Sequence, residues 1–174
     1  SGTNTFATGS AGADVINGGA LTYSTLASWG GSGRDVTFNG TGTLTSSAGG
    51  YTGGTLTSNA GANAVIASGG GSLAFATTTG TGNVIFSTGA NRLLNLGDAS
   101  GLTGNIQARL TGNANYGTSV GIQFSSIGDA AGSAIQFAGG TSDSNQALTV
   151  AYNGSAALVF NNRQIQMPDR VATN

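Results

Sequence analysis

Asp14 stands in the stretch GSAGADVINGG, with Gly12 two residues before it and Ile16 two residues after it. That spacing follows the nonapeptide G-G-x-G-x-D-x-U-x, with U a large apolar residue, in which aspartate and backbone carbonyls from two successive turns enclose Ca²⁺. Ser10 replaces one glycine of the pattern, and Gly18-Gly19 opens the next unit. Asp35, in GGSGRDVTF, follows Gly30, Gly31 and Gly33, but Thr37 fills the large apolar position. A site needs ligands from adjacent turns, and the spacing of these two copies does not match that of consecutive nonapeptides. The expected reading at both positions is a plain Gly-Asp turn and no cofactor, with calcium as the alternative.

Other chemistry has fewer carriers. A serine nucleophile needs a base, and the chain has neither His nor Lys; a glycosidase needs paired carboxylates, and the only acids are six Asp. The expected reading is not an enzyme. Arg34 beside Asp35 and Asp169 beside Arg170 are the adjacent opposite charges, read as solvated pairs at turns. The five arginines, Arg34, Arg92, Arg109, Arg163 and Arg170, are spread along the chain. With five donors each they suit bridges between coils or subunits better than a pocket. Tyr23 and Trp29, in LTYSTLASWGG, form the one aromatic pair suited to stack on a sugar, against which stands a core or capping role.

Glycine makes up 32 of 174 residues, charged residues 6 %, and the net charge is −1. Disordered chains are richer in charge and proline, whereas this one has a single Pro and short alternating apolar runs. Without a basic patch, nucleic acid and anionic membranes find little attraction. Cys is absent, so no disulfide framework exists, and no apolar run approaches the length of a membrane span. The opening SGTNTFATGS carries neither the basic nor the apolar segment of a leader, so any targeting signal is expected to have been removed. Near-zero charge leaves little repulsion between copies, which favours self-association.

The elements that must hold these residues are strands. Apolar residues mark them at Val36 and Phe38, Leu44, Leu56, Val65, Leu73 and Phe75, Val84 and Phe86, and Leu94 and Leu96. Later, Ile106, Ala108 and Leu110 alternate with Gln107 and Arg109, Ile122 and Phe124 flank Gln123, and Ile165 lies between Gln164 and Gln166. NGTG, SAGGYTGG, ASGGGS and GDASG lie between the runs and are expected to turn the chain. No helical stripe of useful length is present, so the chain reads as all-β.

A β-sandwich of this length calls for large aromatics between its sheets. Here a lone Leu or Val is often accompanied by Ala, Thr or Ser. A narrow β-solenoid can be filled by such residues and tolerates Asn and Thr ladders between coils. The expected architecture is therefore one β-solenoid domain over 1–174, parallel β-helix-like, with 1–35 read as an N-terminal cap or assembly segment and a β-sandwich as runner-up.

Residues 40–66, GTGTLTSSAGGYTGGTLTSNAGANAVI, resemble the autotransporter-associated β-strand repeat on Gly40, Gly42, Thr43, Leu44, Thr45, Tyr51, Thr52, Gly53, Gly54, Thr55 and Gly61. DASGLTGNIQARL at 98–110 is a weaker echo, and YNGSAALVFNNRQIQM at 152–167 is similar in style. The resemblance implies a secreted or surface-exposed bacterial passenger folded as a β-solenoid. The expected function is an extracellular stalk or self-assembling fibre subunit, with an adhesin contacting glycans or matrix as the alternative and a carbohydrate-active enzyme a remote third.

Overall fold

The computed structural model describes residues 13–23, 33–47, 51–89, 92–110, 121–128, 133–139, 151–152 and 164–166. The strands are β1 (Ala13–Ile16), β2 (Gly19–Tyr23), β3 (Asp35–Phe38), β4 (Gly42–Ser46), β5 (Tyr51–Ser58), β6 (Asn63–Ser68), β7 (Leu73–Gly80) and β8 (Asn83–Thr88). Then come β9 (Leu93–Asn95), β10 (Asp98–Leu102), β11 (Ile106–Leu110), β12 (Gly121–Phe124), β13 (Ser126–Ile127), β14 (Ala134–Gly139), β15 (Ala151–Tyr152) and β16 (Gln164–Gln166). No helix occurs among the described residues, so none is long and apolar enough to cross a membrane.

The strands fall into two sheets, and the pairing is parallel throughout. The first sheet runs β1-β3-β5-β7-β9-β12-β15, with β10 paired to β7 and β13; the second runs β2-β4-β6-β8-β11-β14-β16. Parallel neighbours need a long return connection. Here the return from one strand of a sheet to the next is the strand of the opposite sheet, so the chain winds as a β-solenoid. Coil length is 20 to 22 residues over the first coils and 29 between Asn105 and Ala134.

Register turns alternation into columns. In the second sheet Leu21, Leu44, Ile66, Phe86 and Ala108 stack inward, and beside them Gly42, Ala64, Val84 and Ile106 form a second inward row. The two rows compensate: where Ile106 is large its neighbour Ala108 is small, and where Gly42 is smallest Ile16 of the first sheet fills the space. A Cβ added at Gly42 would lie 2.5 Å from Ile16 Cγ2. Phe38, Phe75 and Phe86 are fully buried, so large aromatics contribute to this narrow core as well as small residues.

Hydroxyls also point inward. Ser46, Ser58, Ser68, Thr78 and Thr88 are buried. Ser58 Oγ donates to the Asn83 carbonyl at 2.9 Å, Thr78 Oγ1 to the Leu96 carbonyl at 2.8 Å and Thr88 Oγ1 to the Ser68 carbonyl at 3.4 Å. Each of these three bonds satisfies a buried donor and ties one segment to another.

The corner from the first sheet to the second carries two asparagine ladders. Asn59 Nδ2 donates to Asn39 Oδ1 at 2.6 Å, and Asn39 Nδ2 to Asn17 Oδ1 at 3.0 Å. On the far side of the corner Asn83 donates to Asn63 and Asn63 to Thr41, while Asn83 Oδ1 accepts from the Asn105 backbone N–H. Glycine lets the coils approach at this corner: a Cβ at Gly104 would overlap the Gly82 carbonyl, and one at Gly82 the Asn59 carbonyl.

Three details add to or differ from the sequence reading. Val65 marks its strand in the sequence but sits on the outer face, and Ala64 and Ile66 face inward. The run NAVIAS permits either phase, and pairing with Leu44 decides it. The YTGG half of SAGGYTGG and the DASG of GDASG, read as turns, lie at the starts of β5 and β10. Flanking parallel strands supply the hydrogen bonds that glycine's low strand propensity does not favour by itself, and Gly54 is required because a Cβ there would strike Asp35 and Gly33.

Substituting Gly104→Ala is expected to destabilise the chain by about 1–3 kcal/mol through backbone overlap. Urea unfolding followed by circular dichroism checks this; an unchanged midpoint would mean that the coils are not this close.

Candidate functional site

Asp14 lies on the inward side of β1, in the column continued by Val36, Leu56 and Thr78. Its carboxylate is completely buried and receives Arg34 Nη1 at 3.1 Å on Oδ2 and 3.3 Å on Oδ1. The Arg34 side chain is itself only 4 % exposed. Arg34, expected to bridge coils or subunits, is thus engaged within the chain, joining the first described coil to the second.

Asp35, next to Arg34 in sequence, faces the opposite way. It is exposed, and Oδ1 accepts from the Thr55 backbone N–H at 2.6 Å, which ties its coil to the next. The two aspartates of the calcium reading therefore occupy opposite faces of one sheet. Among the described residues no three acidic, His or Cys side chains come together. Arg34 and Asp35 are likewise not a mutual surface pair.

Tyr23 of the expected aromatic platform is buried, 2 % exposed, at the end of β2, while Trp29 lies outside the described residues. Arg109 is exposed on the outer face of β11 and donates to Gln107 at 2.8 Å. Arg92 is half-buried just before β9, and its carbonyl accepts from Gly121 N–H at 3.1 Å. Arg163 and Arg170, with Asp169, lie outside the described residues.

Asp98, at the start of β10, is a carboxylate that sequence reasoning did not single out. The Ser126 hydroxyl one coil on donates to it, as does the Ser100 backbone N–H at 3.0 Å. These bonds, Ser126 first, hold its pKa below the usual carboxylate value, with a small opposing effect of burial.

Among the described residues, depressions lie on the outer face of each sheet. On the second sheet, Asn83, Ile85, Asn105, Gln107 and Gln136 line a cavity of about 170 Å³. Its amides are occupied in the stack: Gln107 donates to Gln136, and Asn105 Oδ1 accepts from Ala134 N–H. On the first sheet a groove of about 410 Å³ is lined by Thr52, Ser72, Leu73, Ala74, Leu93, Asn95 and Gln123. Ser72 Oγ accepts from Leu93 N–H at 3.1 Å and Asn95 Oδ1 from Gly97 N–H at 2.9 Å. Gln123 was placed outward by its alternation with Ile122 and Phe124, Leu73 was marked as a strand residue and Thr52 as part of the repeat pattern, but nothing in the sequence marked these residues as a groove. They converge only when the coils are aligned.

No protein-family model, curated protein or solved structure matches the chain. The likeness of 40–66 to a passenger repeat rests on its residues alone.

Two predictions follow the charges. Asp14→Asn is expected to cost about 3–5 kcal/mol locally, because it leaves the Arg34 charge buried without its counter-ion, whereas Asp14→Leu with Arg34→Met is expected to be neutral or stabilising. Hydrogen exchange of β1 and β3 measures both; equal protection in Asp14→Asn and the parent would contradict the pairing. Asp98 contributes full stability above its ordinary pKa and loses it as pH falls through the depressed folded value. The stability gap between the parent and Asp98→Ala is expected to be at most about 0.5–1 kcal/mol, given its exposure, and to close in acid. Urea titrations at neutral and acid pH test this, and a gap that widens in acid would contradict it.

Proposed function

We propose that the chain is an extracellular structural segment: a rigid β-solenoid that serves as a surface stalk and joins end to end into a fibre. The observation that carries this reading is the stack itself. Apart from one irregularity where β10 meets β7, both sheets run in register across successive coils, and among the described residues they end on strands paired on one side only, β1 and β15 in one sheet and β2 and β16 in the other. Unpaired strand edges are templates for another chain. A head-to-tail contact of this kind propagates without closing, and a net charge of −1 opposes it little.

The likeness of 40–66 to the autotransporter-associated repeat supports a bacterial passenger as the setting. In the structure that segment supplies β4, β5 and most of β6, and its Gly-Thr-Leu-Thr unit places Leu44 in the core and Thr43 and Thr45 outside. Its residues thus serve stacking.

Negative-stain electron microscopy and sedimentation velocity over a concentration series at near-physiological salt test the proposal. Filaments of uniform width that lengthen with concentration are expected, and Thr22→Lys on the edge strand β2 is expected to shorten them. Isolated short rods at every concentration would overturn polymerisation.

A further inference from the structure

We propose that the groove across β5, β7, β9 and β12 binds a neutral polysaccharide strand laid along the coil axis. Register places Thr52, Ala74, Asn95 and Gln123 in one outward row. Each coil therefore offers a side chain one strand spacing, ~4.8 Å, beyond the last. The groove volume of about 410 Å³ falls within the range of small-ligand sites, roughly 300–1,000 Å³.

Unspent hydrogen-bonding capacity separates this groove from the amide-lined cavity on the second sheet. There the Asn83, Asn105 and Gln107 side chains are bonded to neighbouring coils. Here the Thr52 hydroxyl, Asn95 Nδ2 and the Gln123 amide have no partner among the described residues. Ala74 and the half-exposed Leu93 add an apolar surface between them. Sugar rings match this combination, with hydroxyls for the amides and C–H faces for the aliphatic patch. No charged side chain lines the groove, so acidic polymers gain no ion pair. An extended peptide has no open edge to join, because β5, β7, β9 and β12 are each paired on both sides.

The test is equilibrium dialysis of the 174-residue chain, which works equally for single rods and filaments. The probes are cellohexaose, xylohexaose and mannohexaose, with glucose and hexagalacturonate as comparisons. At least one neutral hexasaccharide is expected to bind more tightly than glucose and hexagalacturonate. Gln123→Ala and Thr52→Val are each expected to weaken binding about tenfold, while Gln107→Ala in the second-sheet cavity leaves it unchanged. Circular dichroism confirms that the variants fold. The proposal is overturned if no neutral hexasaccharide binds at millimolar concentration, if Gln123→Ala and Thr52→Val bind like the parent, or if glucose or hexagalacturonate binds as tightly as the best neutral hexasaccharide.

Discussion

Each coil has to land one strand spacing beyond the coil before it, with its side chains over their counterparts, and most of the structure follows from that condition. It sets a return of 20 to 22 residues over the first coils. It also makes glycine necessary at the first-to-second-sheet corner, where the carbonyl of one coil lies in the space a Cβ would fill in the next. The same alignment makes asparagine useful there, because an amide can donate to the coil on one side and accept from the coil on the other. Asn39 does both, between Asn17 and Asn59. Once columns form, a buried hydroxyl can reach a backbone carbonyl of another segment, so Ser58 and Thr78 sit inside without an unsatisfied donor.

Charge is used sparingly and mostly locally. Asp14 and Arg34 neutralise each other inside the first coils, while Asp35 and Asp98 accept hydrogen bonds from the next coil at the surface. Among the described residues, what remains outside is largely hydroxyl, amide and short aliphatic side chain. A surface of that kind allows copies to approach closely and allows neutral hydroxylated ligands to compete with water. The assembly and polysaccharide proposals rest on this shared chemistry but on different places: strand edges for one, a sheet face for the other.

The all-β class and the solenoid were legible because alternation has a period of two and because the inward positions mix Leu and Val with Ala, Ser and Thr. Phe38, Leu44, Leu56 and Phe86 were all marked as strand residues and are all buried. Alternation could not decide the phase of NAVIAS, since the four aliphatic neighbours Ala64 to Ala67 satisfy either face until Leu44 stands opposite Ile66. Nor could it show that Asp14 turns inward, because the residue that stabilises it, Arg34, is 20 positions away and meets it only after a full coil. The groove was hidden for the same reason: Thr52, Asn95 and Gln123 come from three coils, and no local pattern connects them. Tyr23 and Trp29 drew attention through residue type alone, and Tyr23 lies in the core.

In-register stacking is the claim on which the rest depends, and disulfide trapping tests it most directly because the chain contains no cysteine. Thr43 and Val65 are outward-facing partners on adjacent coils, while Ala67 is the partner of Thr45. Under mild oxidation Thr43→Cys with Val65→Cys is expected to close an intramolecular disulfide in most molecules, since paired Cα atoms on neighbouring strands lie within bonding range. Thr43→Cys with Ala67→Cys is expected to stay largely reduced. Equal or preferential closure of the second pair would mean that the coils are not aligned as described and would contradict the account.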